Sequence, residues 1–343
     1  MKTLLAWPRA YSGVVGRARL RAAAEDFIVR ERLGFEPEGH GEHLWVRLEK
    51  IGENTLYVVK QLARHCGVAA RDIGYAGLKD RRARVTQWFS IWLPGRPDPD
   101  WSNFDCATWR VVEARRHRRK LQRGALQGND FEIILRAWSG DDEQLSQRLA
   151  TIAAHGFPNY FGEQRFGRQQ ANLERAMELF QGRRVPREQR GIYLSAARAW
   201  LFNHVLARRV DLDIWQRAIA GDVLMFDNSG AFFHCPHADG ATLERIAHGV
   251  LHPTGPLWGR GEPVVSNDAL RLEQEVIRDF PALAQGLEHY GTEMARRALR
   301  ARADYLHCTR HGENITLAFS LPAGAYATAL LHEIVDYSED GED

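Results

Sequence analysis

Hydrophobic and polar residues alternate with a period of two in several stretches of the chain. Leu44, Val46 and Leu48 are interleaved with Trp45, Arg47 and Glu49, and Ile315, Leu317, Phe319 and Leu321 repeat the pattern near the other end. This is the period of a strand with one face buried, so both stretches are expected to be half-buried strands. Two more strands are expected at Val85 to Leu93 and at Phe131 to Arg136. In the latter, Phe131, Ile133 and Leu135 share one face and Glu132, Ile134 and Arg136 the other. After the first strand the spacing turns helical: Leu56, Val59, Ala63 and Cys66 fall on one stripe. Asn54 stands where an N-cap is wanted and Gly67 where a left-handed residue ends a helix.

From Asp141 the texture changes. Asp141 and Asp142 open a helix that should end at Gly156, and further helices are expected at Ala171 to Phe180, Leu194 to Arg209 and Thr292 to Ala303. His252 to Pro263, rich in glycine and proline, reads as a connection. Strand texture returns at about Asn314. The simplest architecture inserts a helix-rich middle unit into a strand-and-helix domain built from both ends of the chain. There is no internal repeat. The acidic tail Ser338 to Asp343 is expected to fray.

At 343 residues the chain has room for about two domains. Its composition, 44% hydrophobic and 26% charged, excludes a disordered, collagen-like or coiled-coil protein. Lys and Arg number 46 against 44 Asp and Glu, so no global charge announces a polyanion partner. The apolar stretch Leu4 to Trp7 stops at Pro8 and Arg9, well short of a secretory h-region or a membrane span. A soluble protein that stays in the cytoplasm is therefore expected. Cys66, Cys106, Cys235 and Cys308 show no paired spacing, which suits a reducing compartment.

Two segments could carry chemistry. Arg115, Arg116, His117, Arg118, Arg119 and Lys120, with Arg123 beyond, gather cations into one short run. Such a run is either an electropositive stripe for phosphate backbone or a solvated basic face. In Gly74 to Arg84 a lone acid, Asp80, is flanked by Lys79, Arg81, Arg82 and Arg84. Neighbouring cations favour an ionised carboxylate, fit to act as nucleophile or base; the same acid could simply neutralise its neighbours or cap a turn.

The strings Gly77-Leu78-Lys79-Asp80-Arg81-Arg82-Ala83, Gly124-Ala125-Leu126-Gln127-Gly128-Asn129-Asp130-Phe131 and Pro158-Asn159-Tyr160-Phe161-Gly162-Glu163-Gln164-Arg165-Phe166-Gly167 resemble the TruD family of tRNA pseudouridine synthases. Glu25-Asp26-Phe27, Leu194-Ser195-Ala196-Ala197-Arg198 and Leu321-Pro322-Ala323-Gly324 extend the likeness over nearly the whole chain in the family's order. The resemblance implies an α+β fold. A mixed-sheet pseudouridine synthase catalytic domain would be made of residues 1–154 and 304–343, and a helix-rich TRUD domain, residues 155–303, would be inserted in it. It also implies isomerisation of uridine to pseudouridine in tRNA, at position 13, with no cofactor and no metal.

Carried over by motif, the family's catalytic aspartate falls on Asp80. It could attack C1′ of the sugar, remove the C2′ proton to give a glycal, or attack C6 of the base; all three need an ionised acid. Lys79, Arg81 and Arg84 would supply the field. Phe131 matches the family's active-site aromatic, Asn129 and Phe27 match substrate contacts, and Lys79 and Arg21 stand beside them. The residues themselves leave other roles open: Phe131 and Phe27 could be core, and Asn129 a turn former. Tyr326 stands where the family commonly has Phe and adds a hydroxyl that needs a partner. Val85 replaces a common Thr and removes one hydrogen bond, and Arg21 replaces a Lys, exchanging a point cation for a planar fork.

The target uridine must be extruded from a folded tRNA, at a cost that backbone contacts offset. Arg115, Arg116, Arg118, Arg119 and Lys120 in the flanking domain, and Arg165 and Arg168 in the insertion, with Arg183 and Arg184, are the candidates. The expected partner is tRNA, with no membrane, and the expected state a monomer. A rival reading is a structured-RNA-binding protein without chemistry, which Asp80→Asn would discriminate. Another comes from Phe233-His234-Cys235-Pro236-His237 with His248 and His252, which crowd possible zinc ligands together at a spacing that matches no usual structural zinc pattern.

Overall fold

The computed structural model describes residues 7–227 and 229–339. In chain order the elements are β1 (Gly16–Leu20), β2 (Phe27–Arg32), β3 (His43–Ile51), α1 (Thr55–Cys66), β4 (Ile73–Tyr75), β5 (Arg84–Trp92), β6 (Trp109–His117) and β7 (Gly128–Gly140). There follow α2 (Asp142–His155), β8 (Phe157–Pro158), α3 (Glu163–Phe166), α4 (Ala171–Phe180), α5 (Arg187–Asp211), β9 (Asp222–Phe226), β10 (Phe232–Cys235), α6 (Gly240–Ala247) and β11 (Leu251–Leu257). The chain ends with α7 (Asn267–Arg278), α8 (Pro281–His289), β12 (Ala295–Ala298), β13 (Arg300–Ala301), β14 (Asp304–His311), β15 (Asn314–Pro322), α9 (Ala327–His332) and β16 (Val335–Glu339).

Among the described residues one compact unit comprises 16–146, 303–324 and 336–339, and the other 7–15, 147–302 and 325–335. The terminal segments 7–15 and 325–335 therefore pack with the helix-rich unit, although the boundaries expected from sequence place them in the flanking domain. The first unit is built on a ten-stranded sheet ordered β14-β15-β7-β2-β5-β3-β6, with β1 on β7 and β16, and β4 on β5. The β2–β5 pair is parallel and its neighbours antiparallel, so the sheet is mixed and the unit α+β. The second unit packs its helices with two small sheets, β10-β9-β11-β12 and β13-β8. Helix α5 contributes the fully buried Leu201, Phe202, Val205 and Leu206.

Local rules account for much of the first unit. Asn54 caps α1 by accepting from Leu56 N at 2.8 Å, and Gly67 closes it in the left-handed region at φ 60°. Helix α1 buries Val58, Val59, Leu62, Ala63 and Cys66 against Leu44, Val46 and Leu48 of β3, whereas Leu56 faces solvent. Strand β3 is more than half-buried: Trp45, on its other face, joins a second core with Leu33, Trp88 and Leu121.

Four expectations are corrected. Thr292 to Ala303 is not a helix but the strands β12 and β13. Its Ala- and Arg-rich composition favours a helix locally, yet Arg296 and Arg300 are buried and paired with Glu273, Thr254 and His252, which only the extended chain provides. His252 to Pro263 contains β11, paired with β9 and β12 in spite of Pro253 and Pro256. The strands of the middle unit precede Asn314, and the ten-stranded sheet itself resumes ten residues before it, at Asp304. The acidic tail is not wholly frayed, because Ser338 and Glu339 complete β16; residues 340–343, like Leu4 in the amino-terminal apolar stretch, lie outside the described residues.

Candidate active site

Strand register lines up one row of side chains across the sheet. Lys50 lies opposite Val85, Val85 opposite Val29, Val29 opposite Phe131 and Phe131 opposite Phe319. Directly paired residues point to one face, so this row forms a floor that is apolar except at Lys50. One step along the same strands Glu31 lies opposite Asn129. Val85 is fully buried in the floor, a place where a methyl packs as well as a hydroxyl.

Asp80 sits in the loop between β4 and β5, and the loop is tethered on several sides. Gln87 Nε2 donates to Gly77 O at 2.8 Å, Lys79 N donates to Thr55 Oγ1 at 3.1 Å, and Arg81 Nε donates to Gly52 O at 3.0 Å. Beneath it the fully buried Lys50 donates through Nζ to Glu53 O at 2.6 Å and to Asp80 O at 3.5 Å. Burial pushes the Lys50 ammonium down to about 8, with Asp80 opposing the shift.

Both carboxylate oxygens of Asp80 are engaged. Oδ1 accepts from Arg82 N at 3.1 Å, the turn-forming contact that sequence alone could not separate from catalysis, and Oδ2 accepts from Arg21 Nη2 at 2.6 Å. The side chain nevertheless keeps 23% of its exposure, so a ligand can reach it. The cations expected to supply its field are directed elsewhere: Arg84 binds Glu49 at 3.0 Å, and Lys79 reaches Glu31 Oε1 at 3.0 Å and Asn129 Oδ1 at 2.5 Å. Arg21 takes that role. Its second nitrogen, Nη1, holds Glu339 at 2.5 Å, and its guanidinium carbon lies 4.2 Å from the centre of the Phe27 ring.

Phe27 and Phe131 meet edge to face at 6.2 Å, and Phe131 stacks on Phe319 at 5.4 Å. Both are buried in the core, and Phe27 is linked to Asp80 through Arg21, which covers the one and binds the other. Glu31 is buried with its carboxyl raised by desolvation, against which Lys79 and the Trp88 N–H act. The structure thus brings Asp80, Arg21, Lys79, Asn129, Phe27 and Phe131 together in one unit.

Tyr326 belongs to the other unit. Its hydroxyl accepts from Arg165 Nε at 3.0 Å, while Arg165 Nη1 donates to Ser195 Oγ at 2.9 Å. The partner that the additional hydroxyl requires is therefore Arg165. Arg168 is exposed on the turn before α4. In the basic run, Arg116 is spent on Asp98 and on the carbonyls of Leu93 and Arg96, Arg118 pairs with Glu38 through two nitrogens, and Lys120 donates to Arg71 O. Arg115 binds Glu113 at 2.8 Å, and Arg119 is exposed. The histidines of the zinc reading do not converge: His234 contacts Ser266, His248 contacts Glu244 O, and His252 lies between Asp227 and Arg300. Among the described residues no three His, Cys, Asp or Glu side chains gather as a metal site.

Sequence reasoning missed Lys50, Glu31, Glu339 and Phe319. Lys50 had a signal, since it continues the inward parity of Leu44, Val46 and Leu48 and is charged. Glu339 had none, because the tail that contains it reads as solvent-exposed.

With this geometry in place, the chain matches the family model of tRNA pseudouridine synthase D (TruD) over residues 11–180 and 169–334. It is 47% identical over 337 residues to a tRNA pseudouridine synthase D of Methylococcus capsulatus, covering 97% of this chain and 95% of that protein. With one of Pseudomonas syringae pv. tomato it shares 46% over 341 residues, 98% and 96% of the two chains. A crystal structure from Methanosarcina mazei, described as a tRNA pseudouridine synthase D, has the same fold at a TM-score of 0.69 and 22% identity, covering 97% of this chain and 98% of that one.

Proposed function

The chain belongs to the TruD family of tRNA pseudouridine synthases, and we propose from that premise that it isomerises uridine 13 of tRNA to pseudouridine with Asp80 as its catalytic carboxylate. The observation that carries the assignment is the Arg21–Asp80 contact at 2.6 Å, made by a carboxylate that remains partly open and follows Lys79, the residue that holds Asn129. The reaction breaks the N1–C1′ bond, turns the uracil and joins C5 to C1′. N1 gains a proton and C5 loses one, so no redox partner is involved.

In this reading Arg21 pairs with Asp80 and aims it, Lys50 holds the loop from below, and Phe27 and Phe131 offer their outer edges to the extruded base. Asn129 pairs with the uracil edge. Extrusion costs a few kcal/mol of unstacking, which contacts from exposed cations such as Arg119 and Arg168 to the RNA backbone offset. Tyr326, steadied by Arg165, supplies a further ring for the substrate. The sheet-built unit serves as the catalytic domain and the helix-rich unit as an RNA-gripping insertion. The protein acts as a monomer in the cytoplasm.

The test is mass-spectrometric or carbodiimide mapping of pseudouridine in tRNA incubated with the parent or with Asp80→Asn. The reading expects product at position 13 with the parent, and none with a variant that still binds tRNA. Equal activity of the two proteins overturns it, and product at another position overturns the site assignment.

A further inference from the structure

We propose that Glu31 and Lys79 fix the orientation of the Asn129 amide so that only its NH2 half is offered to the base, and that this file of three residues admits uracil and turns cytosine away. The inference rests on the functional reading above and names a specificity device within it.

An asparagine side chain presents an acceptor on one side and two donors on the other, and a lysine ammonium has donors only. Lys79 Nζ lies 2.5 Å from the amide of Asn129, so the atom it meets must be Oδ1. The lysine cannot swing aside easily. Its Nζ is also 3.0 Å from Glu31 Oε1, its backbone N–H is bound to Thr55 Oγ1, and its side chain is 11% exposed. Glu31 is held in turn by the Trp88 N–H on its other oxygen at 2.7 Å. Thr55 donates to Gln87 Oε1 at 3.1 Å, so that support is itself anchored. Asn129 Nδ2 donates to no group among the described residues. The amide therefore has one free function, that of a donor, two positions along β7 from Phe131 and next to the residue that precedes Asp80.

A fixed donor suits this reaction for a chemical reason. Exchanging N1 for C5 at the sugar requires the detached uracil to turn about the axis through N3 and C6, and that turn interchanges the C2 and C4 carbonyls. A donor held in one place meets a carbonyl before the turn and a carbonyl after it. Cytosine would bring its C4 amino group against the same donor in one of the two orientations, leaving two donors facing each other. Lys79 and Glu31 do not touch the base in this scheme; they are positioning residues.

The test uses full-length protein in the inactive Asp80→Asn background, so that binding is read without turnover. Affinity is measured for two tRNAs that differ only in carrying U or C at the target position. Uracil should be favoured by tenfold or more. Asn129→Ala should collapse that ratio, as should Lys79→Met combined with Glu31→Gln, a pair that avoids stranding a buried carboxylate. Combining all three should lower it no further. Asn129→Asp, which still accepts from Lys79 but lacks the NH2, covers the case in which the Lys79 and Glu31 pair fails to fold, and it too should lose the preference.

A U-to-C ratio unchanged in Lys79→Met with Glu31→Gln, unchanged in Asn129→Asp, or absent from the starting protein overturns the proposal. Failure of the functional reading would show separately, as a parent protein with intact Asp80 that makes no pseudouridine.

Discussion

Arg21 Nη2 stands 2.6 Å from Asp80 Oδ2, and it does so from a left-handed backbone at φ 56° that a side chain other than glycine rarely adopts. The same guanidinium holds Glu339 and covers Phe27, so one residue joins the first strand, the Asp80 loop and the last strand. Removing it with Arg21→Ala should lower single-turnover pseudouridine formation by roughly 100-fold, the scale of losing one preorganised charge partner. Arg21→Lys restores a point cation and should recover most of the rate. Glu339→Ala, which frees the fork without touching Asp80, should cost a few-fold. Parity between Arg21→Ala and the parent would remove Arg21 from the site.

Lys50 separates activity from stability by their opposite dependence on pH. It is charged below about 8 when folded but up to its ordinary 10.5 when unfolded, so its burial penalty falls on the folded state at low pH. The unfolded chain binds more protons between those values, and this contribution to stability rises from pH 8 to 10.5. Activity should do the reverse, falling as Nζ loses the charge that faces Asp80, Lys79, Glu31 and Glu53. A pH profile of the single-turnover rate should show a limb near 8 that disappears in Lys50→Met, together with about tenfold of the rate. A limb that persists in Lys50→Met would assign it to another group.

How much of this was legible in sequence depends on where each residue's partner lies. The strands around Leu44 to Leu48 and Phe131 to Arg136 announced themselves because one face of each meets an apolar layer, and Asn54 and Gly67 marked the ends of α1 because capping is local. Asp80 was conspicuous for its cationic neighbours in sequence, yet the cation that binds it is Arg21, 59 positions away. The stretch Thr292 to Ala303 failed for the same reason: its buried guanidinium groups answer to Glu273, Thr254 and His252, so local propensity pointed to the wrong element. Basic runs are ambiguous in the same way, since nothing within Arg115 to Lys120 tells that Glu38 and Asp98 occupy Arg118 and Arg116.

Glu333, in the helix-rich unit, predicts the pH dependence of folding. Burial raises its carboxyl to about 7, although the backbone N–H groups of Ala10 and Tyr11 donate to it and Arg148 and Arg9 lie close. The folded pKa exceeds the unfolded one, so the stabilising contribution is complete below about 4.5 and is lost as pH rises through 7. The full span is on the order of 3 kcal/mol. Thermal melts of the parent should lose stability from pH 5 to pH 7.5 relative to Glu333→Gln, which carries no titrating group there. Parallel pH profiles for the two proteins would show that Glu333 is ionised throughout.

Salt dependence distinguishes cations that hold the fold from cations free to hold RNA. Each phosphate neutralised releases counterions, so the slope of log affinity against log salt counts backbone contacts at a little under one unit each. Arg116 is 17% exposed and tied to Asp98 and two carbonyls, and Arg118 is closed by Glu38. The charge of each is already matched by a carboxylate, so a phosphate would have to compete with Asp98 or Glu38. Arg119 and Arg168 are exposed and make no ion pair among the described residues, so their charge is available at no structural cost. Arg119→Glu and Arg168→Glu should each weaken tRNA binding and flatten the salt slope by about one unit, with the catalytic rate at saturating tRNA unchanged. Arg116→Ala should instead lower the melting temperature and leave the slope nearly as it was. If Arg116→Ala flattened the slope while Arg119→Glu and Arg168→Glu left it alone, RNA would have to be exchanging places with Asp98, and the assignment of the backbone contacts would have to be inverted.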